Sequence, residues 1–544
     1  MSNHDIIQDL LKSHDLLTRE NGRVKVHADL KQKIAILDDG TAYVTSGFQH
    51  TSLYHNIRRQ VEQLNIIIDK DKINIVDVPF LQDLYHAFEA TGDDVDDDNA
   101  ILRLERQKQL AELISRAANE GSSDIHLLVV QKHTQIRNRV YGRLKDLSSM
   151  GKEDGMALII AVFAHAVDAV GNAPLDFHQG ALTQRSGLLP PKVEMIRLQY
   201  SPTSDGLGAI VKRLKYVSPA SETEIDTLGY NKRQIDAIKI MRTRTNGLYI
   251  FAGKVSSGKS TTLQRVLNKM YLEKHQEISI FTIEEPVELD LPSAIQVPAK
   301  NTATGVDGFA AAMRSSLRSD PNIIVLGEIR SGDLANLAIQ AVMTGHALWS
   351  TVHAGTALGI LDRLLDLRVE SWKLIDPTVV RGLVYQRLTG VLCEHCRITF
   401  RQGVEEGKLR EDLRSDLTEL FGKTDEQLYV RGPGCDHCKM GLSGRTVVAE
   451  AILTDPHLLA LFAAGKRVEM RDYWLKPVEE GGMGGTTVLH HSLSKVGAGI
   501  CDVNEVEEEV DLVSVYTQDH VKKVPSLKQR LRDDVAVLEA AKKK

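Results

Sequence analysis

The residues with the clearest chemistry lie between positions 253 and 260. Gly253, Lys254, Val255, Ser256, Ser257, Gly258, Lys259 and Ser260 fit the pattern GxxxxGK[ST]. An apolar run (LYIFA) precedes them, and a helix-like run opening on Thr261 and Thr262 follows. Glycines at these positions let backbone N–H groups turn inward on phosphate oxygens, and a helix N-terminus adds the positive end of its dipole. Lys259 can bridge the β- and γ-phosphates, and the Ser260 hydroxyl can take a Mg²⁺ position. Strand, loop and helix in this order predict a nucleotide-binding site with a place for Mg²⁺.

Acidic and histidine residues follow at the ends of further apolar runs. TIEEPVE, residues 282–288, closes one run with three carboxylates: Glu284, Glu285 and Glu288. NIIVLGE, residues 322–328, ends on Glu328, where Mg²⁺ or an attacking water needs a carboxylate. His346 and His353 flank a fourth run. A strand-end acid is often only solvated. Several of them after a phosphate loop mean more, because a parallel sheet gathers the C-terminal ends of its strands on one edge.

Four of the five cysteines form two pairs: Cys393 with Cys396 and Cys435 with Cys438, separated by 38 residues. Two tight turns each bearing two thiolates can close a tetrahedral structural Zn²⁺ site with no open position for catalysis. Four unrelated thiols or a redox pair are the plainer alternatives. His395 and His437 lie inside the pairs, at a spacing less suited to ligation, and Cys501 stands alone as a small hydrophobe.

These residues need a scaffold, and 544 residues supply one with several cores. Short apolar runs (GLYIFAG, EISIFTI, NIIVLGE, HALWSTV) alternate with helical patterns after residue 221, which predicts an α/β domain with a buried parallel sheet over 221–515. A mixed α+β domain is expected over 100–220, with ALIIAVFAHAVDAV as a buried helix. Residues 1–99 form a separate module that carries 10 basic and 18 acidic side chains and ends in TGDDVDDDN, read as a linker. Residues 516–544 read as a charged tail carrying a solvated helix. The near-neutral balance, 67 basic against 73 acidic residues, gives no electrostatic reason to expect nucleic-acid binding. The longest apolar stretch is far short of a bilayer span, no secretory leader is evident, and the paired cysteines suit a reducing compartment, so a cytosolic protein is predicted.

The order of these segments (phosphate loop, TIEEPVE, RSSLRSDPNIIVLGEIR, TGHALWSTVHA) resembles the secretion ATPase superfamily, which drives type II secretion, type IV pili and type IV secretion. There the segments are called Walker A, Asp box, Walker B and His box. The resemblance runs from about Ser123 to Val510 and implies a RecA-like P-loop NTPase domain. It also implies a zinc-binding insertion over 390–445, preceded by a PAS-like α+β domain. Ser123-Asp124-Ile125-His126 is similar to an element of that second domain, as are Arg137 and Arg139; Arg197 and Arg213 match positions whose guanidinium groups reach nucleotide when the domain closes. The zinc pairs resemble those of pilus-extension and type II secretion members. Retraction members typically lack them.

The resemblance implies hydrolysis of ATP to ADP and phosphate. Lys259 and the loop amides would hold the phosphates, Ser260 the Mg²⁺, and Glu328 would orient or activate water. Glu284 or Glu288 would assist, and His353 and His346 would sense the γ-phosphate or a neighbouring subunit. Arg314, Arg318 and Arg330 are structural or intersubunit charges. The expected assembly is a homo-hexamer on the cytoplasmic face of the bacterial inner membrane, turning a platform protein to assemble a type IV pilus. GKVSSGKS, Glu285 in place of the usual Asp, and Gln199 place the chain in a divergent branch, resembling bundle-forming or conjugative thin-pilus motors. Other readings are a type II secretion or pilus-retraction motor, a nucleic-acid translocase, and a nucleotide-switched scaffold without turnover. No second-messenger regulation through residues 1–99 is expected.

Overall fold

The computed structural model describes residues 7–542, apart from 8–9, 12, 20–22, 25, 27, 65, 91–96, 131, 165–166, 171–177, 203–207, 217–222, 286, 288–290 and 300–307. Three sheets follow one another along the chain. In the first module β1 (Ile34–Ile36) pairs antiparallel with β2 (Ala42–Val44), which pairs parallel with β3 (Ile73–Ile75). Helices α1 (Ser52–Glu62) and α2 (Val78–Ala90) pack on this sheet; the α2 residue Tyr85 donates from its hydroxyl to the Ile34 carbonyl at 2.8 Å. The segment INIVDV supplies β3, and LQDLYHAFEA supplies most of α2. Most of the acidic linker lies outside the described residues, and its last acids already belong to α3 (Asp97–Asn119).

The second sheet is antiparallel throughout. Its strands are β4 (Ser122–Val129), β5 (His133–Val140), β6 (Arg143–Gly151), β7 (Val167–Val170), β8 (His178–Thr183), β9 (Val193–Pro202) and β10 (Gly208–Tyr216), in the order β6-β5-β4-β10-β9-β8-β7. Alternation decides its faces. Ile125, Leu127, Ile136, Ile196 and Leu198 form one core with Leu110, Ile114 and Ala117 of α3 and with Leu158 and Val162 of α4 (Lys152–Ala164). The expected helix over ALIIAVFAHAVDAV stops at Ala164, and VDAV is the edge strand β7. The β-branched Val167 and Val170 at its two ends suit a strand better than the tail of a helix.

The third sheet runs β13-β12-β14-β15-β11-β16-β19. After α5 (Lys232–Thr243) come β11 (Gly247–Ala252), α6 (Lys259–Glu273), β12 (Ile280–Glu284), β13 (Ile295–Pro298), α7 (Gly308–Ser316), β14 (Ile323–Leu326), α8 (Gly332–Met343), β15 (Ala347–Val352), β16 (Val380–Leu392) and β19 (Leu442–Leu453). All neighbours are parallel except β16 and β19. The apolar runs GLYIFA and ALWSTV are buried along their whole length, as a sheet covered on both faces requires.

β16 and β19 pair over eleven positions and run out past the other strands to the paired cysteines. Between them lie a two-stranded ribbon, β17 (Ile398–Thr399) and β18 (Tyr429–Val430), and α9 (Glu411–Phe421). Leu413, Leu417, Leu420 and Phe421 share a core with Leu489, Leu493 and Val496 of α10 (Val488–Gly497) and with Leu531 and Val535 of α11 (Ser526–Lys542). The last helix is therefore not the solvated element expected of 516–544. Leu527, Leu531 and Val535 are buried, and so is Arg530, which donates to the Gly485 carbonyl at 2.6 Å. Among the described residues no helix is long and apolar enough to cross a membrane.

Three histidines buried here make stability depend on pH. His490 donates from Nε2 to Asp534 at 3.0 Å and accepts the Tyr516 hydroxyl proton on Nδ1 at 2.7 Å; His491 accepts from the Ala449 N–H at 3.1 Å. Burial holds all three below the ordinary histidine range, that of His520 at about 3. Their folded pKa values lie below the unfolded value of about 6.5, so the unfolded chain takes up protons first as pH falls. Their contribution is complete above about pH 6.5 and is lost below it, by up to about 1.4 kcal/mol per pH unit for each histidine. Urea midpoints measured from pH 7.5 down to 5.5 should fall accordingly.

Candidate active site

β11 delivers the chain to Gly253, whose φ of 153° brings the backbone so close to β16 that a Cβ would stand 2.3 Å from the Gln386 carbonyl oxygen. Only glycine fits. Ser256 takes the left-handed conformation (φ 64°), and the Ser257 N–H closes the turn on the Lys254 carbonyl at 3.2 Å. α6 starts at Lys259, so the loop leads straight into a helix N-terminus, with Ser260 and Thr261 in the first turn. Lys259 Nζ donates to the carbonyls of Gly253 (2.9 Å) and Lys254 (3.1 Å), while Lys254 and Val255 face solvent. The Ser257 hydroxyl is buried without a hydrogen-bond partner in the structure. A glycine-walled loop, a cation folded over it and an unsatisfied hydroxyl are what a polyphosphate would complete. The residues fit ATP.

The other strand ends meet on the same edge. Since β14 lies between β12 and β15, and β15 between β14 and β11, Glu284, Glu328, His353 and the phosphate loop stand in that order across the sheet. Glu328 is one-fifth exposed; its Oε2 accepts from Arg330 Nε at 2.8 Å and its Oε1 lies 3.0 Å from His353 Nε2. Glu284 Oε1 accepts from the Thr282 hydroxyl at 2.8 Å, and a Cβ on Gly327 would come within 3.4 Å of Glu284 Cγ. Glu284 thus packs against Gly327, the residue before Glu328, on the neighbouring strand. Glu285 is exposed, and Glu288 lies outside the described residues. Arg314 and Arg318 are exposed at the end of α7, whereas Arg330 is the partner of Glu328.

His346 is not at this edge. It precedes β15 and sits in the turn closing α8, with Nδ1 3.1 Å from the Ala341 carbonyl. A six-residue strand is roughly 20 Å long, so residues that start and end it occupy opposite edges of a parallel sheet. His346 therefore cannot sense a γ-phosphate held at 253–260. Arg197 and Arg213 lie on the antiparallel sheet in one cross-strand row, Arg139, Asp124, Arg213, Arg197, on adjacent strands β5, β4, β10 and β9. Within that row Arg139 Nε lies 3.8 Å from the Asp124 carboxylate.

The structure adds residues that the sequence reading missed. Glu450 on β19 is fully buried and accepts from the Ala357 N–H at 2.8 Å and the Val488 N–H at 3.1 Å. Burial pushes its carboxyl above the usual range, against the pull of those two donors. It pins the turn that follows His353. Glu450→Ala should cost about 2–4 kcal/mol in a urea melt, the penalty of two orphaned buried N–H groups. A lone acid inside the apolar run VVAEAIL was the available signal.

Away from the phosphate loop, the four paired cysteines converge. Sγ atoms of Cys393 and Cys435 are 3.7 Å apart, those of Cys396 and Cys438 3.6 Å, and those of Cys435 and Cys438 3.7 Å. All four lie within 4.8 Å of one another. Ligands about 2.3 Å from a tetrahedral zinc stand about 3.8 Å from each other. The thiols fit Zn²⁺, and the spacing is far too long for disulfides. His395 and His437 stack on each other with ring centroids 4.2 Å apart and do not join the sulfur cluster. Cys501 is separately buried in the core under α10, its thiol pushed up to about 12 by burial.

A mostly parallel sheet with a phosphate loop, a strand-end glutamate beside it and a four-cysteine cluster define an NTP-using α/β protein. The model of the family "Type II/IV secretion system protein" matches residues 97–508, and the chain belongs to this family and is an ATPase. It is 28% identical over 414 residues to the type II secretion system ATPase E of Vibrio cholerae serotype O1, covering 76% of this chain and 75% of that protein. It is 32% identical over 383 residues to type II secretion system protein E of Klebsiella pneumoniae (69% and 70%). Similarity to the type IV pilus assembly ATPase PilB of Thermus thermophilus is 30% over 364 residues, 66% of this chain and 38% of that protein.

Proposed function

We propose that the chain is a motor that hydrolyses ATP to assemble a type IV pilus from pilin subunits. The observation that carries this is the juxtaposition of the phosphate loop with Glu328 and His353 on one sheet edge. Lys259 and the loop N–H groups would hold the β- and γ-phosphates, and Ser260 would hold Mg²⁺, which neutralises phosphate charge. Glu328 would take the proton of the attacking water, with Glu284 at the end of the adjacent strand in support; His353 would report γ-phosphate occupancy through Glu328. The Cys393–Cys438 cluster would hold a structural Zn²⁺ that fastens the β16–β19 hairpin. The 221–515 domain is read as RecA-like and the antiparallel domain as PAS-like. Closure of the latter would bring Arg197 and Arg213 to the phosphates, where guanidinium groups stabilise transferring charge.

The working form would be a homo-hexamer at the cytoplasmic face of the inner membrane, acting on a platform protein without nucleic acid. Type II secretion is the second reading, favoured by the relatives in V. cholerae and K. pneumoniae. Deleting the gene separates them: loss of surface pili with secretion intact supports the first, and the converse outcome the second. Lys259→Ala should weaken nucleotide binding by about 100-fold or more, measured with a fluorescent ATP analogue. Hydrolysis stimulated by single-stranded DNA would instead indicate a translocase.

A further inference from the structure

Two buried polar side chains outside the steps above stand directly behind the phosphate loop. Gln386, in the middle of β16, is fully buried; its Nε2 donates to the Ser257 carbonyl at 2.8 Å and its Oε1 accepts from the Tyr230 hydroxyl at 2.6 Å. The Tyr230 oxygen is also 3.2 Å from Thr262 Oγ1 in the first turn of α6. A phenol has one proton. With that proton on Gln386, the Thr262 hydroxyl donates to Tyr230, and the bonds run one way: Thr262 to Tyr230 to Gln386 to the Ser257 carbonyl.

The last of these bonds governs the cradle. In a planar trans peptide the C=O of Ser257 and the N–H of Gly258 point in opposite directions. Pinning that carbonyl to Gln386, on the outer side of the loop, turns the Gly258 N–H inward. Tyr230 is itself fixed from behind. The Gly229 carbonyl accepts from the buried Lys495 ammonium at 2.7 Å, and at φ 105° a Cβ on Gly229 would run into Thr446 Oγ1 at 2.0 Å.

We propose that Gln386 and Tyr230 are positioning residues that hold the phosphate loop in its anion-binding shape and so set the affinity for nucleotide. The inference rests on the reading that residues 253–260 hold the triphosphate. Neither side chain touches the Glu328–His353 pair, so their loss acts on binding and not on turnover.

The test measures KM for MgATP, kcat and the thermal midpoint of full-length Gln386→Met, Tyr230→Phe and the double variant. Gln386→Met should raise KM roughly tenfold and Tyr230→Phe roughly threefold, with kcat within about twofold. Because Tyr230 acts through Gln386, the double variant should be no worse than Gln386→Met alone. Unchanged KM in Tyr230→Phe, a fall in kcat without a rise in KM, or additive effects would overturn the proposal. Should Gln386→Met not fold, Tyr230→Phe decides alone, since it keeps the ring and its packing. Wild-type protein that retained no MgATP would defeat the nucleotide-site reading and this inference together; normal wild-type binding with indifferent variants defeats this inference only.

Discussion

Glu328→Gln should leave ATP bound and stop its hydrolysis. The substitution keeps the side chain's size and its place between Arg330 and His353, but the amide cannot accept a proton from water. General-base removal of this kind costs about 10²–10⁴ in kcat. Nucleotide affinity should stay within about threefold, because the grip belongs to a different loop, 253–260, on a different strand. Phosphate release and retention of a fluorescent ATP analogue, measured on one preparation, separate the two effects. Turnover within about tenfold of wild type would remove Glu328 as the water-activating group and move that role to Glu284 on the adjacent strand. A variant that binds ATP, turns over none and still supports assembly in cells would defeat the motor and favour a nucleotide-switched scaffold.

Loss of the cysteine clasp should have the second large effect. Cys435→Ser, or exhaustive chelation, is expected to release one Zn²⁺ per chain and lower the thermal midpoint by on the order of 10 °C. Four thiols with neighbours at 3.6–3.7 Å share no covalent bond, so without the ion the turns at 393–396 and 435–438 lose the centre that clasps them, and the stacked rings of His395 and His437 remain between them. Proteolysis should then begin between residues 393 and 441. A colourimetric zinc assay on the purified wild-type chain gives the reference. Protein that holds no zinc and melts as the Cys435→Ser variant does would show that the sulfurs pack without a metal.

The parts of the site legible in the sequence are those built from neighbours in the chain. The phosphate loop needs only eight consecutive residues and the strand and helix beside them. Glu284, Glu328 and His353 could be gathered because each ends an apolar run, and parallel strands share an edge. The same logic misplaced His346, which begins its run. What could not be read were buried polar residues whose partners are remote: Gln386 meets Ser257 across 129 positions and Glu450 meets Ala357 across 93. A lone Gln or Glu in an apolar strand announces that a partner exists without saying which. The charged segment after 516 misled for another reason. Its apolar residues Leu527, Leu531 and Val535 occupy one narrow helical stripe, and net charge conceals a stripe that thin.

The packing of α11 carries a consequence for biosynthesis. Leu531 and Val535 complete the core around Phe421, Leu417 and Leu493. During translation the segment 400–500 must therefore wait, with that apolar surface uncovered, until the chain beyond residue 535 has emerged from the ribosome. Newly made copies in that interval are the ones most exposed to aggregation and most dependent on chaperones.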